Sequence, residues 1–190
     1  MAKAIKFHSL GSSLSPIERY APPAIFFHWA VALLIVIAYA AVITKGYLPK
    51  GSAPRALSMT IHEWAGIAVL VLAVPRLLWR LIKGAPGALP GQGRLVRFGS
   101  SVVHLLLYVF LFAQPVLGYL TLNAGGHVLT IPGLDLALPQ FIGKDDELRG
   151  SIKGIHETLG SAFYWVIGLH ALAALWHHYF RRDDTLRRIV

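Results

Sequence analysis

Four long apolar runs set the pattern of this chain, and short stretches rich in glycine, proline and basic residues separate them. Each run is close to the roughly 20 residues that a helix needs to cross a bilayer. None alternates in the way of a half-buried strand. The pattern predicts helical spans over about residues 21–43, 57–81, 96–122 and 154–180. Pro22 and Pro23 suit a first helical turn, and Pro75 is expected to kink the second span. The longest connector, 123–153, alternates apolar residues around Pro132 and Gly133. It predicts a small hairpin or a membrane-surface segment. A polar arm over 1–20 and a charged tail over 183–190 flank the domain at 21–182. The expected fold is all-α, an integral membrane four-helix bundle.

Composition agrees with a membrane protein and narrows its partners. Hydrophobic residues make up 55% of the chain, charged residues 14%, and the mean hydropathy is +0.57. These values suit a multi-pass helical protein in the lipid bilayer rather than a soluble domain. The formal net charge of +9 would suit a nucleic-acid binder, but most of the cations lie between the apolar runs. Topology and anionic lipid explain them, and no nucleic-acid partner is expected. Twelve Lys and Arg fall on the side of the termini and six on the other, so both termini are expected in the cytoplasm. The first 20 residues lack a compact apolar core, and no cleavable signal is expected. Cysteine is absent, which excludes disulfides, thiolate ligands, iron–sulfur clusters and covalent c-type haem attachment.

Histidines inside the runs carry the chemistry, because an ionisable side chain in a membrane span is costly and points to function. The last run holds His156, His170, His177 and His178. His156 and His170 are fourteen residues apart, about 21 Å along a helix and within roughly 40° of one direction. His62 opens an inward-running span and shares the outer depth of His156. His28 and His104 both fall at the inner depth of His170. The candidate pairs are His62 with His156 outside, and His170 with either His28 or His104 inside. His62 begins HEWAG and His156 begins HETLG. Gly66 and Gly160 therefore follow at i+4, one turn along the same face, where a missing side chain leaves room for a flat macrocycle. This is not the zinc-protease H-E-x-x-H pattern. Arg76 lies fourteen residues after His62, at the inner depth, and needs a counter-anion such as a haem propionate.

Two histidines per depth, with no thiolate, suit bis-imidazole iron porphyrin. Zinc would want three or four clustered ligands. The reading is two haem b groups held between helices, with filled axial positions that favour electron transfer over oxygen binding.

The ordered segments IFFHWAVALLIV, SMTIHEWAGIAVLVLAVPRLLWRL and SIKGIHETLGSAFYWVIGLHALAALWHHYF resemble the bacterial cytochrome b561 family, and more closely its superoxide oxidase branch. The resemblance runs from His28 to the tail. It implies a four-helix bundle in the bacterial inner membrane with two haem b groups. It implies axial ligands matching His28, His62, His156 and His170, with His28 rather than His104 at the inner site. It also implies electron transfer from superoxide at the outer face to ubiquinone in the membrane.

Further roles follow from charge and spacing. A cationic outer rim would concentrate the superoxide anion. Lys153, three residues before His156, is the leading candidate among Lys45, Lys50, Arg55, Lys144, Arg149 and Lys153. His177 stands at i+7 from His170, about 10 Å deeper on the same face. It is the candidate quinone contact and proton donor, with Arg80 and Trp176 behind it. Two other functions fit parts of the sequence. One is a haem-bearing membrane anchor serving a dehydrogenase partner subunit. The other is a metal transporter built on intramembrane histidines.

Overall fold

A computed structural model describes residues 18–190, apart from 88, 90 and 135. Most of the polar arm, with Lys3, Lys6 and His8, lies outside the described residues. The described chain forms four long helices: α1 over Pro22–Tyr47, α2 over Ala53–Lys83, α3 over Arg94–Ala124 and α4 over Asp146–Trp176. One π-helical turn, His177–Arg181, extends α4. All four are long and apolar enough to cross a membrane.

Each helix overruns the span expected from hydropathy at one end or both, because its ends are set by capping and turn chemistry rather than by apolar content. Leu48 precedes Pro49, which disfavours helix at Leu48, and the chain leaves α1 there in an extended conformation. Arg55 closes the same corner, its Nη1 donating to the carbonyls of Lys45 at 2.6 Å and Leu48 at 2.9 Å. Gly84, at φ +72°, ends α2. The largest extension is at α4, which starts eight residues before 154. Asp145 accepts from the Leu148 amide at 2.9 Å, and Asp146 and Glu147 place negative charge at the positive end of the helix dipole. Lys153 is therefore helical rather than part of a connector. What remains of that connector makes a narrow hairpin, with Leu138 donating to Leu129 at 2.8 Å and Ile131 to Leu136 at 2.9 Å. Helices α2 and α3 continue through Pro75 and Pro115.

The helices pack as two hairpins, α1 with α2 and α3 with α4, joined where α2 meets α3. Helices α1 and α4 make no comparable backbone approach, and α4 meets α1 and α2 through side chains, with His170 facing His28 and His156 facing His62. Val31, Val69, Ala73 and Leu111 form the buried cluster where α1, α2 and α3 meet. Phe110 on α3 stacks on Phe163 on α4 at 4.0 Å. Val69 and Phe163 each sit midway along a fourteen-residue interval, between His62 and Arg76 and between His156 and His170. The apolar packing thus separates two polar layers. Outside it, Leu33, Val71, Leu105 and Leu169 are each more than 60% exposed. Apolar surface on that scale is suited to lipid and not to water.

Candidate functional site

The structure brings histidines from different helices together at two levels. The distal layer lies away from the termini and joins His62 of α2 to His156 of α4, with ring centres 6.1 Å apart. Each ring is oriented by a backbone carbonyl. The Nδ1 of His62 is 2.9 Å from the Ala38 oxygen, and that of His156 is 3.1 Å from the Gln114 oxygen. A carbonyl only accepts, so each Nδ1 carries the proton and each Nε2 keeps a free lone pair, the tautomer that a metal ligand needs. Two metal–nitrogen bonds of about 2.0 Å, each with ~1.1 Å from nitrogen to ring centre, put opposed imidazoles roughly 6 Å apart across one metal. The distal pair has this spacing.

A cavity of about 470 Å³ opens beside the two rings, lined among others by Tyr39, Gly66, Gly118, Lys153, Gly160 and Tyr164. That volume is in the range of cofactor sites. The three glycines serve it differently. A Cβ at Gly66 would meet nothing within 4 Å, so this position leaves open space, as the H-E-x-x-G reading expects. A Cβ at Gly118 would lie 3.1 Å from Cε1 of His156, so this glycine accommodates the ring itself. A Cβ at Gly160 would lie 2.9 Å from Nε2 of Gln114. Its missing side chain makes room for a glutamine on α3, and its carbonyl accepts from the Tyr39 hydroxyl at 2.8 Å.

Charge gathers at the distal mouth. Lys153 lines the cavity, half-exposed, with its Nζ 3.3 Å from Glu157. Lys45 and Glu63 line it too, and His127 of the hairpin stands 3.9 Å from Glu63. Arg55 is engaged at the end of α1, and the stem of Lys144 and the head of Arg149 pack on Gly126 and Gly125.

The proximal layer lies toward the termini. His28 of α1 and His170 of α4 have ring centres 6.4 Å apart, and His104 of α3 approaches His170 at 5.5 Å. The first distance matches two ligands across one metal; the second is short of it. Arg76 stands at this depth, its Nη2 3.1 Å from Nδ1 of His28 and its guanidinium 5.6 Å from the Tyr108 ring centre. Guanidinium only donates, so this contact makes Nδ1 the acceptor and leaves the proton on Nε2. Metal ligation through Nε2 needs the opposite tautomer. The Arg76 contact and ligation through Nε2 of His28 are therefore alternatives.

Beyond this layer, the π turn and the tail hold His177. Its Nδ1 is 2.5 Å from Asp183 and 3.4 Å from the Thr185 hydroxyl. Partial burial opposes charge on Asp183, but the hydrogen bonds from Thr185 and His177 outweigh it and hold the carboxyl below the usual carboxylate range. Trp176 stacks on Phe180 at 4.3 Å. The tail folds back onto α1, where the Trp29 indole donates to the Ile189 carbonyl at 2.8 Å.

Among the described residues, no three or more His, Asp or Glu side chains converge to hold a metal ion. The His62–His156 and His28–His170 pairs each offer two nitrogen donors, which suits a metal that brings further ligands of its own, as in haem. Sequence reasoning missed Gln114, Gly118 and Asp183. A glutamine inside an apolar span was the available signal for the first; the other two become visible only when α3 packs on α4 and the tail folds back.

Comparison with known proteins agrees with this chemistry. The family profile described as prokaryotic cytochrome b561 matches residues 19–190. Cytochrome b561 homolog 1 of Escherichia coli K12 is 34% identical over 173 residues, which cover 91% of this chain and 97% of that protein. A Yersinia pestis protein named probable superoxide oxidase CybB is also 34% identical over 173 residues, covering 91% and 96%. Cytochrome b561 homolog 2 of Escherichia coli K12 is 29% identical over 178 residues, covering 91% and 92%. With four membrane-capable helices and a match over nearly its whole length, the chain belongs to the prokaryotic cytochrome b561 family, multi-pass membrane proteins that bind haem b and transfer electrons.

Proposed function

We propose that the protein is a dihaem cytochrome of the bacterial inner membrane that carries electrons from superoxide at the periplasmic face to ubiquinone in the bilayer. The observation that carries this reading is the two imidazole couples at two depths, 6.1 Å and 6.4 Å between ring centres. The name of the Yersinia relative supports the choice of superoxide. In this reading residues 21–182 form the working domain, both termini are cytoplasmic, and the distal layer faces the periplasm.

His62 and His156 hold one haem b, and His28 and His170 hold the other. When bound, each haem supplies a one-electron couple between two neutral imidazoles. Gly66 leaves open space beside the distal pair, Gly118 leaves room for the His156 ring, and Gly160 leaves room for Gln114. Lys153 at the mouth attracts superoxide and raises its encounter rate. Arg76, displaced from His28, neutralises a carboxylate of the inner group. His177 contacts ubiquinone and delivers protons, and Asp183 orients its ring. The balance is two superoxide anions giving one electron each, with one quinone taking two electrons and two protons to become the quinol.

Stopped-flow mixing of superoxide with the purified protein in ubiquinone-containing vesicles tests the reading. Superoxide loss above the spontaneous rate, with quinol formed in a ratio of one to two, is the expected result. A protein with a b-type spectrum that consumes no superoxide, and that co-purifies with a large redox subunit, belongs instead to the membrane-anchor class. A preparation with no b-type spectrum removes the haem reading.

A further inference from the structure

Helix α3 contributes no histidine to the distal pair, yet it makes the closest contacts with one of its members. Gln114 touches His156 twice. Its backbone oxygen lies 3.1 Å from the imidazole Nδ1, and its side-chain Nε2 donates to the His156 backbone carbonyl at 2.8 Å. The first contact sets the tautomer and the ring angle. The second fixes the position of the α4 backbone from which that ring projects. Together they tie one ligand to one residue of the neighbouring helix, at both ends of the ligand.

The second contact has its present geometry only because position 160 is glycine. Gly160 is one turn beyond His156 on α4, and a Cβ there would lie 2.9 Å from Nε2 of Gln114. That is nearer than a carbon and a nitrogen approach without a hydrogen bond. The other end of the carboxamide, Oε1, is buried with no partner among the described residues. Leaving a buried acceptor unsatisfied costs about 1–3 kcal/mol, and an apolar group of the same shape avoids that cost. Packing alone would therefore be served as well by methionine.

We propose that Gln114 is the positioning residue of the distal haem ligand, clamping His156 through its ring and its backbone, and that Gly160 is glycine to admit this clamp. The inference rests on the dihaem reading. It gives the glycine of HETLG a different purpose from that of HEWAG, which borders open space.

The test uses the purified full-length holoprotein and three variants, Gln114→Ala, Gly160→Ala and the double variant, with Gln114→Met as a volume-keeping control for folding. The readouts are the low-spin electron paramagnetic resonance signal of each haem and the rate of haem loss to excess apomyoglobin. The Gln114 backbone oxygen stays in place in every variant, so only the side-chain contact is lost. The expected factor is about 10, the lower end of the roughly 10–100-fold that outer-shell partners of metal ligands contribute to retention. Gln114→Ala, Gly160→Ala and Gln114→Met should each shift the distal signal and speed distal haem loss by that factor, with the proximal signal unchanged. The double variant should be no worse than Gln114→Ala, because Gly160→Ala acts only through the clamp. An unchanged distal signal in Gln114→Met, or effects of Gln114→Ala and Gly160→Ala that add, overturns the proposal while leaving the dihaem reading intact. A wild-type protein without a b-type spectrum removes both.

Discussion

Gly118→Ala is the smallest change that should separate the two haem sites. The added methyl would stand 3.1 Å from Cε1 of His156, 3.5 Å from Nδ1 and 3.9 Å from Nε2. Carbon–carbon contacts are best at about 3.5–4.0 Å, so the ring must retreat by a few tenths of an ångström or α3 must back away from α4. Either movement lengthens the Nδ1 contact to the Gln114 oxygen, already at 3.1 Å. Overpacking of this kind costs about 1–3 kcal/mol. Here it falls on the ligand itself, so about 1.4 kcal/mol of it would weaken distal haem retention roughly tenfold. The assay is haem per polypeptide by pyridine haemochrome, read with a reduced-minus-oxidised spectrum and a redox titration. The titration should lose or shift one component and keep the other, since Gly118 touches nothing in the proximal layer. Full haem content with both components unmoved would refute the argument that this glycine exists for the ring.

Three further outcomes follow from the geometry. His28→Ala should abolish the proximal haem whereas His104→Ala should retain it, because only His28 stands at the spacing of two ligands across one metal, 6.4 Å from His170; equal loss in haem content would refute the assignment. Lys153→Glu should slow superoxide consumption roughly tenfold at low ionic strength and less at high salt, and a salt-independent rate would remove Lys153 from the rim function. Asp183→Asn should lower thermal stability in detergent by about 1–2 kcal/mol at pH 7, since a hydrogen bond to a charged group is lost. The Asp183 carboxyl is held below its ordinary value, so its contribution is present above the unfolded pKa and disappears as pH falls through the lower folded value. Wild type and variant should therefore converge in strong acid, and a gap that persists there would exclude this charge as the cause.

The four spans, the all-helical class and the histidine depths were legible in the sequence, because each follows from intervals along a single helix. Rise per residue needs no partner: fourteen residues set His156 and His170 at two depths whatever α4 packs against. Helix ends were less legible, since Asp145 capping Leu148 carries α4 eight residues beyond the apolar run. Relations between helices were decided only by tertiary structure. In a membrane span apolar residues face lipid and partner helices alike, so hydropathy does not say which side of α3 meets α4. For that reason both His28 and His104 remained partners of His170 from spacing alone, and the 6.4 Å and 5.5 Å distances come from packing. The same reason hid the different duties of Gly66 and Gly160, identical in motif but facing open space in one case and Gln114 in the other. Sequence determined how deep each group lies; the packing of the helices decided what it touches.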